Sequence, residues 1–400
     1  MKFLHTADWH VGKTLKGRPR LDEQREVLSE IVGLARTHDV DAVLIAGDVY
    51  DSAAPTADAQ RLVVQVLLAL ARDGIKVLAI AGNHDHGRTF EAYRPLMEVA
   101  GIELFGQVRP RDKGGVHTFT ARSDGASVNV GMLPFLSQRD AVRGAQLIAP
   151  GDNVPARNSG AYEQWVRNFV THLGEGYDPD GVNLMMAHLT TIGGIQGGGE
   201  RSAQTIFEYS VAPTIFPTDS HYVALGHLHR RQEVASHCPV HYSGAPLRVD
   251  FGEEDYTPSV LLVEAEPGRP ARVTDLELTS PRRLRTVEGS VEELRSRSEE
   301  LSEEWLRVRV TQTTYAGLRD DILEALPNAL EIHVQPDPDQ LTRTRVSQAQ
   351  VAQVTPRELF ASYSAEVGSQ DERVTALFDE LHDETTGHQP STATPAGGTA

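Results

Sequence analysis

Five times along the chain, an apolar run of strand length stops at a side chain able to hold a metal ion. The runs lead from Phe3 to Asp8-Trp9-His10, from Ala42 to Gly47-Asp48-Val49-Tyr50-Asp51, from Val77 to Gly82-Asn83-His84-Asp85, from Val182 to His188, and from Tyr222 to Gly226-His227-Leu228-His229. In open α/β sheets, sites gather outside the carboxyl ends of strands. Five such ends therefore imply one shared site, with Asp48 as the candidate for its centre.

A strand has a side-chain period of two, so Asp8 and His10 share a face, as do His227 and His229. With Asp48, Asn83 and His188 they make a set of oxygen and imidazole donors without sulfur. If Asp48 bridges, the set fills four positions on each of two ions and leaves others open to water and substrate. Two ions about 3.5–4 Å apart are the arrangement used for in-line displacement at phosphorus. Nitrogen and oxygen donors of this kind suit Mn²⁺, with Zn²⁺ or iron as alternatives. Cys238 is the one cysteine in the sequence, which excludes an intrachain disulfide and a thiolate cage. A single histidine at a strand end is more often a surface or hydrogen-bonded core residue. Five pieces in order, each after its own apolar run, weigh heavily against that bland account.

The formal net charge of −18 argues against a chain that coats nucleic acid by charge alone, because backbone binding relies on clustered Lys and Arg. A nucleic-acid substrate would need a local basic patch or a partner. Lys13, Lys16, Arg18 and Arg20 follow His10 closely and either hold DNA phosphates or form a solvated loop. No apolar run approaches the length of a bilayer span and no signal-type segment opens the sequence, so the expected setting is the cytoplasm, away from membranes.

Residues 1–279 alternate strand-like and helical stretches, the pattern of an α/β domain. One helix is expected over Leu21 to Thr37. The segment Thr56 to Arg72 is apolar around most of its circumference and must be buried on more than one side. Its second partner is either the domain's own helix layer or a homodimer contact, to which Thr89 to Val99 would add Phe90, Tyr93, Leu96 and Met97. Within an insertion at about 137–176, Tyr162, Trp165, Val166, Phe169, Val170 and Leu173 have amphipathic helical spacing. The run Gly193-Gly194-Ile195-Gln196-Gly197-Gly198-Gly199 reads as a flexible loop, and without a Lys-Ser/Thr ending it is no phosphate-binding loop. After a boundary near Ser280-Pro281, residues 280–345 read as a small α+β capping domain. Residues 346–384 read as a pair of short helices, the first starting at the capping box Thr355-Pro356-Arg357-Glu358. Residues 385–400 have the composition of a disordered tail.

The motifs Asp8-Trp9-His10, Gly47-Asp48-Val49-Tyr50-Asp51, Gly82-Asn83-His84-Asp85, His188 and Gly226-His227-Leu228-His229 resemble the five motifs of the calcineurin-like metallophosphoesterases. With the capping and helical regions, residues 1 to 384 look like a nuclease subunit of the SbcCD type. The resemblance implies a sandwich of mixed sheets flanked by helices, with the capping domain and helical pair appended. It implies one metal on Asp8, His10, Asp48 and His229, and a second on Asp48, Asn83, His188 and His227. It gives His84 the role of proton donor or charge stabiliser at the leaving oxygen, with Asp51 matching the acid that orients it in related phosphatases. It further implies Mn²⁺-dependent cleavage of DNA ends and hairpins, and a homodimer within a heterotetramer. The partner would be an SbcC-like ATPase whose coiled coil receives the helical pair. Two other readings stay open: a phosphatase or phosphodiesterase acting on a small molecule or a protein, and an assembly scaffold with structural metals.

Overall fold

The computed structural model describes residues 1–137, 159–200, 210–334, Phe360, Ser364 and 372–386. The chain divides into two compact units, Met1–Val310 with Ala316–Val334, and Thr311–Tyr315 with Gln335–Ala400.

The larger unit begins with β1 (Lys2–Thr6), the hairpin β2 (Thr14–Leu15) and β3 (Arg18–Pro19), α1 (Leu21–Thr37), β4 (Ala42–Ile45) and α2 (Ala57–Arg72). There follow β5 (Lys76–Ile80), α3 (Gly87–Glu98), β6 (Ile102–Phe105), β7 (Val116–Thr120), β8 (Ser127–Leu133), α4 (Ser159–Gly174) and β9 (Val182–His188). Next come the short pair β10 (Thr190–Thr191) and β11 (Ser210–Val211), then β12 (Tyr222–Gly226), β13 (Gln232–Val234), β14 (Val240–Tyr242), β15 (Ser259–Glu266) and β16 (Arg269–Glu277).

These strands build two six-stranded sheets, ordered β16-β15-β1-β4-β5-β6 and β13-β14-β12-β9-β8-β7. In the first, β1, β4, β5 and β6 are parallel and β15 joins β1 antiparallel. In the second, β14, β12, β9 and β8 are parallel. Strands with both faces covered need apolar side chains on both, which is why the five runs read as continuous hydrophobic stretches. Phe3, Leu44, Leu78 and Ile80 pack between the sheets with Val130, Leu184, Met186 and Tyr222. Leu4, Val43, Ile45 and Val77 turn the other way, onto α1 and α2. The second sheet rests its outer face on α4 through Trp165, Val166, Phe169 and Val170, the stripe that the sequence spacing predicts.

The helix α2 is capped by Thr56, whose side-chain oxygen accepts the Ala59 N–H. Leu62, Val63, Val66, Leu67 and Leu70 go into the domain's own core, while Val64 and Leu68 are only half buried. The neighbouring α3 leaves Tyr93, Leu96 and Val99 beside it exposed, Leu96 by 68%. The apolar circumference of α2 is thus only partly used by its own layer.

Beyond the sandwich lie β17 (Leu284–Gly289), α5 (Val291–Ser296), β18 (Trp305–Val310), α6 (Leu318–Ala325) and β19 (Ala329–Val334). The three strands are all parallel, so this small region is two successive strand-helix-strand crossovers. The sequence pattern suggests a helix to Leu301, but α5 ends at Ser296 and turns follow. Two carboxylates of α1 hold the connection. Glu30 accepts the N–H groups of Thr279 and Ser280, and Glu23 accepts those of Arg282 and the Trp305 indole.

In the smaller unit, α7 (Glu372–Thr386) is described, and Phe360 stacks on Phe378 with ring centroids 4.0 Å apart. The helix continues two residues past the expected start of the tail. The capping box at Thr355–Glu358, the side chains of Leu359 and Tyr363, and residues 387–400 lie outside the described residues.

Candidate metal centre

The carboxyl ends of β1, β4, β5, β9 and β12 open on one edge of the sandwich, and all seven expected donors meet there. Ligand atoms fall into three buried groups, Asp8 with His10 and His229, His10 with Asp48 and His84, and Asp48 with His188 and His227, each within 4.8 Å. Asn83 joins through Oδ1, which lies 2.8 Å from both His188 Nε2 and His227 Nδ1. Asp48 and His10 each take part in two of the groups, and Asp48 links the one holding His84 to the one holding His188 and His227.

The backbone bends sharply to aim these side chains. Four of the seven donors adopt positive φ: Asp8 at 55°, His10 at 45°, Asp48 at 49° and His227 at 103°. A residue with a Cβ pays for that conformation, and such residues cluster where function requires a particular direction. Local bonds hold the bends. The Asp8 N–H donates to Gly47 O and the His10 N–H to Asp48 O, both at 3.0 Å. Gln24 of α1 donates to the His10 carbonyl and accepts the Gly12 N–H, each at 3.0 Å. At Gly47, with φ of 98°, a Cβ would lie 2.1 Å from His188 Nδ1. A glycine is therefore obligatory between the β4 strand and Asp48.

The donor chemistry fits divalent metal. His188 Nδ1 donates to Ala46 O at 2.8 Å, leaving Nε2 to face Asn83 Oδ1 at 2.8 Å and Asp48 Oδ2 at 3.4 Å. A lone pair set against two oxygens requires positive charge between them, a proton in the protein alone or a metal ion in the loaded site. Likewise, His10 Nε2 and His229 Nε2 stand 3.0 Å apart. Electrostatics agree. Burial pushes Asp8 up to about 7, with Asp48 adding to the effect against the pull of His188 and His229. Burial also opposes ionisation of Asp48, but His188, His10 and His84 outweigh it and hold this carboxyl well below the usual range. Burial would lower His188, yet the Asp48 carboxylate raises it to about 9.

His84 stands at the rim of this set. Its Nδ1 lies 2.8 Å from the main-chain carbonyl of Asp51, and its Nε2 faces Asp48 Oδ2 at 4.0 Å. The Asp51 carboxylate is 3.8 Å from the same Nδ1 and 3.1 Å from Lys13 Nζ. His84 Nδ1 is thus at hydrogen-bond distance from the Asp51 backbone carbonyl, with the Asp51 side chain, the group the resemblance implies, about an ångström further off. His86 is exposed and its Nδ1 lies 2.8 Å from Thr89 Oγ1 at the start of α3.

The basic residues after His10 do not share one fate. Arg18 is exposed, with its guanidinium over the Trp305 ring. Lys16 pairs with Asp250 and Glu331, and Lys13 with Asp51. The expectation for Arg20 is corrected: it is 3% exposed, and its guanidinium is occupied by Glu23 and the Arg248 carbonyl. It cannot present a donor to a phosphate at the surface.

Several residues given no role by the sequence pattern shape the site. Asp85 accepts the N–H groups of Val49, Tyr50 and Gly82 and so shapes the turns bearing Asp48 and Asn83. Its place in the Gly-Asn-His-Asp motif was a signal. Phe135 stacks on His227 with centroids 6.3 Å apart, and Glu253 and Glu200 contact His229. These three lie outside the motifs.

A family model described as calcineurin-like phosphoesterase matches residues 1–231. A second, described as Type 5 capsule protein repressor C-terminal domain, matches residues 280–367. The chain is 36% identical over 286 residues to the SbcD subunit of nuclease SbcCD from Bacillus subtilis, covering 71% of each chain. It is 33% identical over 283 residues to SbcD from Rhodobacter capsulatus, covering 68% of each. Identity to SbcD from Escherichia coli K12 is 26% over 377 residues, covering 92% of this chain and 91% of that one.

The central place of Asp48 has a measurable consequence. Asp48→Ala is expected to lose both ions and His229→Ala mainly one, read as metal content per subunit after desalting. Equal losses in the two variants would mean that Asp48 is not the bridge or that the two sites load together.

Proposed function

The chain belongs to the calcineurin-like phosphoesterases, and within them to the SbcD family of SbcCD nuclease subunits, and from that premise we propose a Mn²⁺-dependent nuclease acting on double-stranded DNA ends and hairpins. The enzyme is a metal-dependent phosphodiesterase of the nuclease class. The observation that carries the finer reading is the meeting of seven nitrogen and oxygen donors at the shared edge of two sheets, with His84 beside them. Asp8, His10, Asp48 and His229 would hold one ion, and Asp48, Asn83, His188 and His227 the other. Two such ions supply positive charge to the phosphoryl oxygens and lower the pKa of water. The protein's own part is positional. Asp48 is fixed by the His84 N–H at 2.8 Å, and the Asp51 carbonyl holds the His84 ring so that Nε2 faces inward. From there it gives a proton to the leaving oxygen or stabilises charge on it.

Mixed N/O donation favours Mn²⁺. DNA phosphates would approach beside His10, where Lys13, Lys16 and Arg18 offer positive charge. The subunit would work in the cytoplasm in a heterotetramer, two copies with two SbcC-like ATPases whose nucleotide state gates DNA access. The helix α7 leaves Val374, Leu377 and Leu381 about half exposed. They stand at helical spacing that suits a groove on the base of the partner's coiled coil. Between copies of this chain, the exposed Tyr93 and Leu96 beside Val64, with the exposed Val99 and the half-buried Leu68, favour a four-helix contact through α2 and α3.

The reading is tested by co-expressing the chain with an SbcC-like ATPase and assaying Mn²⁺-dependent cleavage of duplex ends and hairpins. Cleavage is expected, and deleting residues 350–400 should abolish association while sparing metal content. A chain that hydrolyses only a small phosphate ester, with or without the ATPase, would move the assignment to a small-molecule phosphodiesterase. His84→Gln should keep both ions and lower DNA cleavage by about 10²–10⁴, the usual contribution of a general acid. The loss should shrink on a nitrophenyl phosphodiester, whose leaving group needs no proton, and loss of an ion in step with activity would make His84 a ligand. Leu96→Asp should yield monomers by light scattering, whereas a wild-type chain that is monomeric at tens of micromolar would exclude the contact.

A further inference from the structure

Among the candidate donors, His229 is held by two carboxylates from outside the motifs. Its main-chain N–H donates to Glu200 Oε1 at 3.0 Å, and its Nδ1 lies 2.7 Å from Glu253 Oε1. Glu253 is 1% exposed. Its second oxygen accepts the Val249 N–H at 2.6 Å and the Tyr256 hydroxyl at 3.3 Å. One oxygen is therefore tied to the backbone of its own loop, and the other is directed at the imidazole.

The glycine-rich run covers this pair. A Cβ at Gly199 would lie 2.4 Å from Glu253 Oε1 and 2.9 Å from His229 Nδ1, so only bare backbone fits there. Glu200 holds the cover down by accepting the N–H groups of Gly197 at 2.6 Å and Gly198 at 2.7 Å. The same carboxylate that grips the His229 backbone thus closes the loop over its ring.

We propose that Glu253 is a positioning residue for the metal centre. It accepts the His229 Nδ1–H, directs the Nε2 lone pair into the site, and is kept dry by Gly197–Gly199. The proposal rests on His229 being a ligand. An imidazole ligand gains both orientation and basicity from a carboxylate on its other nitrogen, and losing that partner typically weakens metal binding 10–100-fold. The competing account makes Glu253 a structural anchor for the turn Phe251–Glu253 and nothing more.

Titration calorimetry with Mn²⁺ alone on the full chain separates the two. Glu253→Gln offers a single oxygen to two donors, the Val249 N–H and the His229 Nδ1–H. It should weaken one of the two ions by about 10–100-fold and leave the other within about twofold. Tyr256→Phe, which removes only the far contact, should leave both near wild type. A purely structural Glu253 would instead lower the melting temperature of the metal-free chain with both affinities unchanged, and that result overturns the proposal. If Glu253→Gln fails to fold, Gly199→Ala must reproduce the one-ion loss by crowding the pair, and wild-type affinities there would overturn it equally. His229→Ala is the control for the underlying reading. Retention of both ions in that variant would mean that His229 is no ligand, whereas loss of one ion there with none lost in Glu253→Gln would sink the role of Glu253 alone.

Discussion

A single carboxylate buried among imidazoles sets the terms for this structure. Asp48 is 1% exposed, and a buried charge is tolerated only where opposite charge and hydrogen bonds meet it. His188, His10 and His84 stand within 4.0 Å of its outer oxygen, and the His84 N–H takes the inner one. Those partners come from three strand ends in two different sheets, so the sheets must stack with their carboxyl ends in register. Gly226 pairs with His188 across β12 and β9, which places the second sheet's two ligand-bearing ends side by side. The left-handed turns at Asp8, His10, Asp48 and His227 are the local cost of bringing them together, offset by the large apolar core behind them.

Much of this was legible in the sequence because each strand end is a local pattern: an apolar run, then a turn, then a donor. The contacts that hold the donors from behind were not, and the reason is physical. Glu253 reaches His229 across 24 residues, and nothing in Asp250-Phe251-Gly252-Glu253 distinguishes a buried acceptor from a surface carboxylate. Arg20 misled in the opposite sense. Its basic neighbours suggest a solvated stretch, yet its own side chain turns inward to Glu23 at the start of α1, because side-chain burial depends on tertiary packing that composition does not report. Asp51 shows a third limit: its carbonyl oxygen is nearer His84 than its carboxylate is, and sequence motifs name side chains.

The short hairpin and the small parallel sheet meet beside the site. Leu15, Phe251, Leu284 and Trp305 form one apolar cluster, and Arg307 lies over the Phe251 ring, 4.6 Å from its centroid. Two residues on, the same turn carries Glu253 to His229. Lys16 adds a bridge from the hairpin to Glu331 at 2.8 Å. The β17–β19 region is therefore packed against the loops that shape the site, and is not a passive appendage on a linker.

Charge decides how such a site can meet a polyanion. With a net charge of −18, the protein repels DNA most strongly at close range, because salt screens the repulsion beyond the Debye length. Among the described residues the exposed cations near His10 are few, and Lys13 and Lys16 are already paired with carboxylates. For the nuclease proposed above, ions held by the donors would supply attraction at the scissile phosphate that these paired cations do not. Phosphate contacts set register and base contacts set sequence preference, and a described rim with few unpaired cations supplies little of the first. What it can select is geometry, a backbone able to reach the sheet edge between His84 and the hairpin.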